Sequence, residues 1–532
     1  MCYTTQGKGK HMELKTEALY MEEKKGPAIT QVTFDETYHL PDYLPDFFSV
    51  ILSRGDVRLD ESKCGNGHIM VRGVLQFRVL YRTGQGEWKI SSLEGEYPFQ
   101  ETLMLEEAGE FDMPQTEVFL EDLTVRMINA RKLNIQALLE IHCTARTRLE
   151  LQIPVGMEQE ESCEHLYRKK EFLELCYRGE ELCAMREEVR LPSNKPNIRQ
   201  LLWQQAQLFG MNVRVAAGEV TVQGELQVFV IYLGMQEDRM QWAEMRVPYQ
   251  CRLEIPEASP DMVSYLTADP GAIRCSVQAD ADGEERVILA EADIPIRMWL
   301  YRDISKNQLE DVYSLKKQLI PKRKPVKIRQ LHMKNESQCR VNDTLQIKNT
   351  EEEVLQIGAG FGTVEPEHWE ISPNGLMIEG TVRMQVFYMV SSDSAPVGAM
   401  ESLVPFQCQM EMQDLDETCE IEIQTTLEHL SFLMKNASEI EVQAIINVSA
   451  LVTKLKEEEL ISAIEEEAAD AQADEKLPGI VGLILTGSSD LWEIAKKYHT
   501  TVSAIRKTNE LEEETELNGR KILVVKQVLD IG

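Results

Sequence analysis

Side chains able to do chemistry are few in this 532-residue chain and poorly spaced for it. Gly358-Ala359-Gly360-Phe361-Gly362 has the look of a loop whose glycine backbone could approach a phosphate. No G-K-[ST] continuation follows and no strand–helix–strand unit surrounds it, so it reads as a turn. The nine histidines (His11, His39, His68, His142, His165, His332, His368, His429 and His499) never fall at H-E-x-x-H or a related metal spacing. Glu158, Glu160, Glu161, Cys163, Glu164 and His165 would attract a cation if they converged, but a polar linker between domains is the better reading. No G-x-S-x-G marks a nucleophile. The eleven cysteines are odd in number and form no C-x-x-C pair, against a zinc ribbon or thioredoxin-type exchange. Reduced, mostly buried thiols are expected. The expectation is a chain with no catalytic residue, no cofactor and no metal, hence not an enzyme.

Composition narrows the partners. Hydrophobic residues make up 43% and charged residues 27%, the balance of a globular chain. With 56 Lys and Arg against 89 Asp and Glu, the net charge of −33 repels a phosphate backbone and anionic lipid. No run approaches the ~18 apolar residues of a membrane helix. The opening MCYTTQGKGKHMELK lacks the apolar stretch of a signal peptide. These features predict a cytoplasmic protein with no nucleic-acid partner and no membrane insertion. One basic stretch stands apart: Lys316, Lys317, Lys322, Arg323, Lys324, Lys327 and Arg329 should pair internally with acidic faces.

The elements behind these residues repeat. VRGVLQFRVLY (71–81), VQGELQVFVIY (222–232) and IEGTVRMQVFY (378–388) align without gaps. Each sets a glycine (Gly73, Gly224, Gly380) eight positions before a tyrosine (Tyr81, Tyr232, Tyr388), with apolar residues at alternate positions between, as in a half-buried strand. Pro98-Phe99-Gln100, Pro248-Tyr249-Gln250 and Pro405-Phe406-Gln407 follow the three glycines at a spacing constant to one position. Ala137, Ala290 and Ala444 lie further on. Leu40-Pro41 and Leu191-Pro192 stand at the same distance upstream of their glycines, each with a later proline (Pro45, Pro196). Three homologous domains follow: residues 1–160, 161–310 and 311–455. Each is mainly β, a sandwich or a barrel, and IRQLLWQQAQLF (198–209) has the spacing of one packed helix. The shared residues are scaffold types, and the three tyrosines read as strand-packing aromatics.

This pattern resembles the SPOCS domain, repeated in proteins of spore-forming Firmicutes. The resemblance covers roughly residues 14–455.

Residues 456–478 hold nine acidic and two basic side chains and no aromatic, which predicts a solvated linker with helical tendency and an independently moving last module. In 479–532, IVGLIL and RKILVVK read as strands flanking two helices. Asp490, with Glu493 three positions on, caps the first helix and Thr501 the second. This β-α-α-β module resembles LysM through Leu491, Trp492, Ile494, Ala495, Tyr498 and Asn509. The resemblance implies a shallow groove at Ser488, Ser489, Asp490, Leu491 and Trp492 and at Asn509, Glu510 and Leu511, which in that family takes N-acetylglucosamine glycans. Ser488-Ser489-Asp490 stands where LysM modules read Gly-Asp-Thr, altering the turn and its hydrogen-bonding set. A fold re-used to hold a protein is at least as well supported.

Together the two resemblances imply a spore coat morphogenetic protein of the clostridial kind: a non-enzymatic adaptor in the mother-cell cytoplasm, at the forespore surface. Its expected partners are the basement-layer ATPase of the coat or other coat proteins. The alternative is a protein that binds peptidoglycan of cortex or wall.

Overall fold

The computed structural model describes residues 10–84, 89–158, 163–235, 240–268, 273–347, 353–391, 397–467, 478–486, 490–512 and 518–526. The first repeat contains β1 (Lys10–Met12), β2 (Leu14–His39), β3 (Phe47–Gly65), β4 (His68–Thr83), β5 (Lys89–Met104), β6 (Met113–Asn129) and β7 (Lys132–Met157). The second contains β8 (Cys163–Arg190), β9 (Ile198–Ala216), β10 (Glu219–Gly234), β11 (Met240–Glu254), β12 (Val263–Ala268), β13 (Arg274–Ala279) and β14 (Glu285–Ser314). The third contains β15 (Gln318–Gln346), β16 (Val354–Ser372), β17 (Gly375–Val390), β18 (Val397–Glu411), β19 (Cys419–Asn436) and β20 (Glu439–Glu467). The C-terminal module is β21 (Ile480–Ile484), α1 (Leu491–Lys497), α2 (Val502–Thr508) and β22 (Lys521–Val525), in the expected β-α-α-β order.

Each repeat is a sandwich. A three-stranded meander (β3-β4-β5, β9-β10-β11 or β16-β17-β18) faces a sheet built on the repeat's long outer strands, β2 with β7, β8 with β14, and β15 with β20. The central strand alternates as its sequence demands: Ile69 and Val71 are buried, with Met70 and Arg72 less so. Each repeat keeps a core of its own, the largest gathering Val222, Leu226, Val228, Val230 and Tyr232 against Ile288, Ile294 and Met298.

The landmarks of the sequence become contacts. Gly73 lies opposite Phe99, Gly224 opposite Tyr249 and Gly380 opposite Phe406. A Cβ on Gly224 would sit 2.6 Å from the Phe209 carbonyl oxygen and 2.8 Å from the Tyr249 ring, and one on Gly73 2.7 Å from both the Arg58 carbonyl and Phe99. The aromatic of the Pro-aromatic-Gln motif therefore lies over the bare glycine backbone, which fixes their spacing. Tyr81 donates to the Pro45 carbonyl (3.1 Å) and Tyr232 to that of Pro196 (3.0 Å), so these tyrosines pin the proline loops as well as pack. Arg131 and Arg286 donate to the same loops. Register also moves one landmark. Phe34, Met185 and Val341, equally spaced from their glycines, pair with Ala137, Ala292 and Ala444, so Ala292 rather than Ala290 is the counterpart.

Three expectations are corrected. Residues 198–209 are not a helix but the start of β9. Bulges there skip Arg199 and Leu202, and each extra residue stretches a two-residue period toward the three-and-four spacing of a helix. The first and third repeats bulge at the same places, at Phe48 and Ile51 and at Leu355 and Gly358. Gly358–Gly362 is therefore strand as well. Its glycines admit the Phe432 ring and carry carbonyls that accept from Gln227 and Gln207 of the second repeat. Finally, residues 456–467 of the expected linker complete β20, while 468–477 lie outside the described residues. The basic stretch, which runs into β15, is its antiparallel partner: Lys317, just before the strand, meets Glu466 (3.0 Å) and Lys322 meets Glu465 (3.1 Å). Two charge runs, each unfit for a core alone, neutralise one another across a ladder. The long strands that frame the repeats span 14–157, 163–314 and 318–467, running past the expected ends at 310 and 455.

The repeats close a ring. β5 meets β9, β11 meets β16, and β18 returns to β3. Leu52 and Leu80, Trp203, Phe229 and Ile231, and Phe361 and Phe387 share one cluster from all three repeats. The long strands meet likewise, with Leu19 and Ile153, Phe172, and Ile328 and Leu460 in another. β1 pairs with β20, tying the chain's first described residues to the third repeat. Beside a third cluster, which holds Tyr265, Trp299 and Leu451, Arg146 is fully buried. It donates to Glu22 (3.2 Å) of its own repeat and Glu422 (3.0 Å) of the third, and stacks on Trp299 (4.7 Å) of the second. Glu22 also accepts from Trp299, Tyr301 and Arg178. Burial disfavours the guanidinium charge, but Glu422, Tyr301 and Glu22 outweigh it and hold Arg146 protonated.

Three outcomes follow. Gly224→Val forces the Phe209 carbonyl and Tyr249 apart and should cost about 1–3 kcal/mol in urea unfolding of the full chain. Arg146→Ala takes from Glu422 its buried ion partner and leaves Glu22 with Arg178 as its cation, and should cost about 3–5 kcal/mol. Desolvation would raise Glu422, yet Arg146, Lys24 and Arg329 pull it below its ordinary 4.5. Its stabilisation is thus complete above that value and lost as pH falls through the lower folded value. The thermal midpoint should therefore drop on acidification below about pH 4.5 less in Glu422→Gln than in the parent.

Candidate interaction surfaces

The C-terminal module is built by its caps. Asp490 is extended and its side chain accepts from the Trp492 amide (2.8 Å), and Thr501 accepts from the Ala504 amide (3.0 Å), so both expected N-caps stand. Leu491, Ala495, Ile505, Leu511, Ile522 and Val524 pack together as its core.

The residues expected to line a groove part company. Ser488 and Ser489 lie outside the described residues. Asp490 and Glu510 are exposed, and Glu510 takes a positive φ of 53°. Leu491 and Leu511 are core. Asn509 is consumed by the fold: it donates to the Ile505 (2.8 Å) and Leu523 (2.7 Å) carbonyls and accepts from the Leu523 amide (2.6 Å), tying α2 to β22.

Trp492 faces another domain. Its indole N–H donates to Asp311 (2.8 Å), and its ring meets Tyr313 edge-on with centroids 4.8 Å apart. Lys496 donates to the same Asp311 carboxylate (2.7 Å) and Tyr313 donates to the Thr500 carbonyl (2.8 Å). Leu166 and Leu315 complete the contact. The module is thus seated on the end of the β8–β14 pair, where the sequence leads us to expect a module without a fixed seat. A bulge in β14 skips Glu310 and so turns Asp311 toward the module. Burial, then Glu164 and Asp311, push the Tyr313 hydroxyl well above its ordinary range, so it stays a donor at neutral pH. Asp311 and Tyr313 escape sequence reading because an alternating strand pattern does not announce a bulge.

One face of the module stays open. Ile480, Ile484, Leu523 and Val525 alternate along β21 and β22 and are exposed, forming an apolar strip opposite the face that packs on the module's core. Elsewhere the chemistry is sparse. Among the described residues no group of three His, Cys, Asp or Glu side chains is placed to hold a metal ion, and no helix is long and apolar enough to cross a membrane. Glu160 and Glu161 of the acidic cluster lie outside the described residues, while Cys163, Glu164 and His165 stand on β8.

A family model described as SipL, SPOCS domain, matches residues 46–128, 197–278 and 353–435. The chain carries the SPOCS domain three times. Each match spans the double bulge, the glycine and the Pro-aromatic-Gln motif, and stops short of the repeat's last long strand, so the ring-forming SPOCS units are joined by strands beyond the family pattern. The C-terminal module lies outside the matches, and the family points to a sporulation-related coat protein. No curated protein and no solved structure matches the chain.

The seating of the module gives a direct test. Asp311→Ala leaves the Trp492 indole and Lys496 without their shared acceptor, at a cost of about 1–3 kcal/mol to the contact. Trp492 emission should shift to the red and cleavage between the module and the ring should quicken, while the ring's own unfolding midpoint holds.

Proposed function

We propose that this chain is a non-enzymatic adaptor of spore coat morphogenesis that tethers coat to the forespore surface from the mother-cell cytoplasm. The observation that carries the reading is the threefold SPOCS match, closed into a ring that bears one small module. Its residues are spent on scaffold: glycines under aromatics, tyrosines pinning loops, and charges paired across strands. A ring gives three SPOCS faces and a module on one body, so modest contacts add through effective concentration.

The LysM-like module serves as the docking domain for the basement-layer ATPase or another coat protein. Supporting this, Asn509 is engaged by the fold and Leu491, Trp492 and Leu511 are buried, which leaves little polar groove for a glycan. The open strip of Ile480, Ile484, Leu523 and Val525 suits the apolar centre of a protein interface better than a polyhydroxylated sugar chain.

Purified full-length chain should capture the basement-layer ATPase. Ile484→Lys with Leu523→Lys, both on exposed positions, should cut capture at least tenfold with unchanged circular dichroism. A chain lacking 479–532 should fail to reach the forespore surface. Undiminished capture by the double variant together with normal recruitment of the truncated chain would refute the docking role. Saturable pelleting with insoluble peptidoglycan, and none with coat proteins, would establish the glycan reading instead.

A further inference from the structure

The second and third repeats carry cysteines at equivalent points. Cys183 and Cys339 stand at the same distance before Gly224 and Gly380, and Cys251 and Cys408 each follow the Gln of the Pro-aromatic-Gln motif. The first repeat has Val32 and Glu101 there. Cys183 is on β8 and Cys251 on β11; Cys339 is on β15 and Cys408 on β18. Within each repeat these strands belong to opposite sheets, and β11 packs on β8 as β18 packs on β15. Both pairs therefore sit where the two sheets are held by side chains rather than by a ladder.

In the second repeat the pair is joined. Cys183 and Cys251 form a disulfide with Cα atoms 5.9 Å apart, which departs from the all-thiol state expected for a cytoplasmic chain. In the third repeat Cys339 and Cys408 are buried free thiols. The Cys339 thiol donates to the carbonyl of Gln407 (3.4 Å), the residue just before Cys408.

We propose that Cys339 and Cys408 are a second cross-sheet cystine site, closed by exchange with a small disulfide such as oxidised glutathione. Cys408 serves as the attacking sulfur, its thiol lowered by Cys339 and then Ser337 against desolvation. Its thiolate attacks one sulfur of the reagent, forming a mixed disulfide and releasing one thiolate. Cys339 then gives up its proton and attacks the Cys408 sulfur, releasing the second. Two protein thiols lose two electrons, the reagent disulfide becomes two thiols, and the two protons leave on them. β18 is the outer strand of its three-stranded sheet, and its local opening would give the reagent access. The bridge would staple the two sheets of the third repeat as Cys183–Cys251 does in the second, hardening two of the three ring members. By contrast, burial above all, then Asp112 and Cys143, raise the Cys64 thiol of the first repeat to about 11, so it has no comparable attacking sulfur.

The test uses full-length chain, fully reduced, equilibrated with oxidised glutathione in its native state, quenched with N-ethylmaleimide and mapped by peptide mass spectrometry. Cross-linked peptides 183–251 and 339–408 are expected, with Cys64 and Cys143 alkylated. The two bridges close loops of nearly equal length, so about half of the rise in thermal midpoint on oxidation should vanish in Cys339→Val/Cys408→Val. Val32 in the first repeat shows that valine fits one of these places. Recovery of Cys339 and Cys408 as alkylated or separately glutathionylated residues, beside an intact 183–251 bridge, would overturn the proposal. So would an undiminished oxidation-linked rise in the double variant.

Discussion

Arg146 is the point at which the three repeats cannot be separated cheaply. Its guanidinium is wholly buried, so its charge survives only because Glu22 and Glu422 reach it from two repeats and Trp299 covers it from the remaining one. Removing the repeat that supplies either carboxylate would strip a buried ion of a partner, at a cost of several kcal/mol. The apolar clusters shared between repeats supply the gross burial, but burial is non-directional. The ion cluster is what fixes how the long strands register against one another around the ring. That also explains why triplication has not produced identical copies. Counting nine positions on from Ala137, Ala292 and Ala444 gives Arg146, Tyr301 and Thr453, three different residues at equivalent points of the three repeats.

Within each repeat the controlling constraint is a glycine under an aromatic. A strand with a bare backbone position is entropically weak, and the ring of Phe99, Tyr249 or Phe406 restores the missing contact. The bulges serve the same end, bending the first meander strand so that it can meet the next repeat. Sandwiches of this kind carry edges, and edges invite uncontrolled pairing. Here β1 pairs along part of β20, and the outer meander strands pack on the neighbouring repeat at ring closure.

The seated module changes how an adaptor of this shape would work. A tethered tip samples a volume, while a tip held by Trp492, Lys496 and Tyr313 presents its free face in one direction relative to the ring. Orientation then becomes part of recognition, and a partner meets SPOCS faces and module at a fixed distance. Asp311 is the hub of this arrangement because one carboxylate serves both the indole and the ammonium.

Much of this is legible in the chain. Spacing alone reveals three homologous β domains, because a glycine, its covering aromatic and a loop-pinning tyrosine must keep their distances if the contacts are to form. The caps at Asp490 and Thr501 are equally plain, since a helix end needs an acceptor whatever surrounds it. Residues 198–209 mislead because two bulges imitate a helical period. The runs at 316–329 and 456–467 mislead in another way: either one alone lacks the means to fold, and only their pairing, as of Lys322 with Glu465, makes strand of 318–329 and 456–467. What the chain determines by itself are local requirements: which residues alternate, which cap a helix, and which must keep a fixed spacing. Tertiary structure alone decides the ring, the buried charge of Arg146, the seat of Trp492 on Asp311 and Tyr313, and the facing of Cys339 with Cys408. Each of these joins residues far apart in the chain, and such contacts leave no periodic trace, because the strands that carry them alternate in the same way whether or not a partner is there.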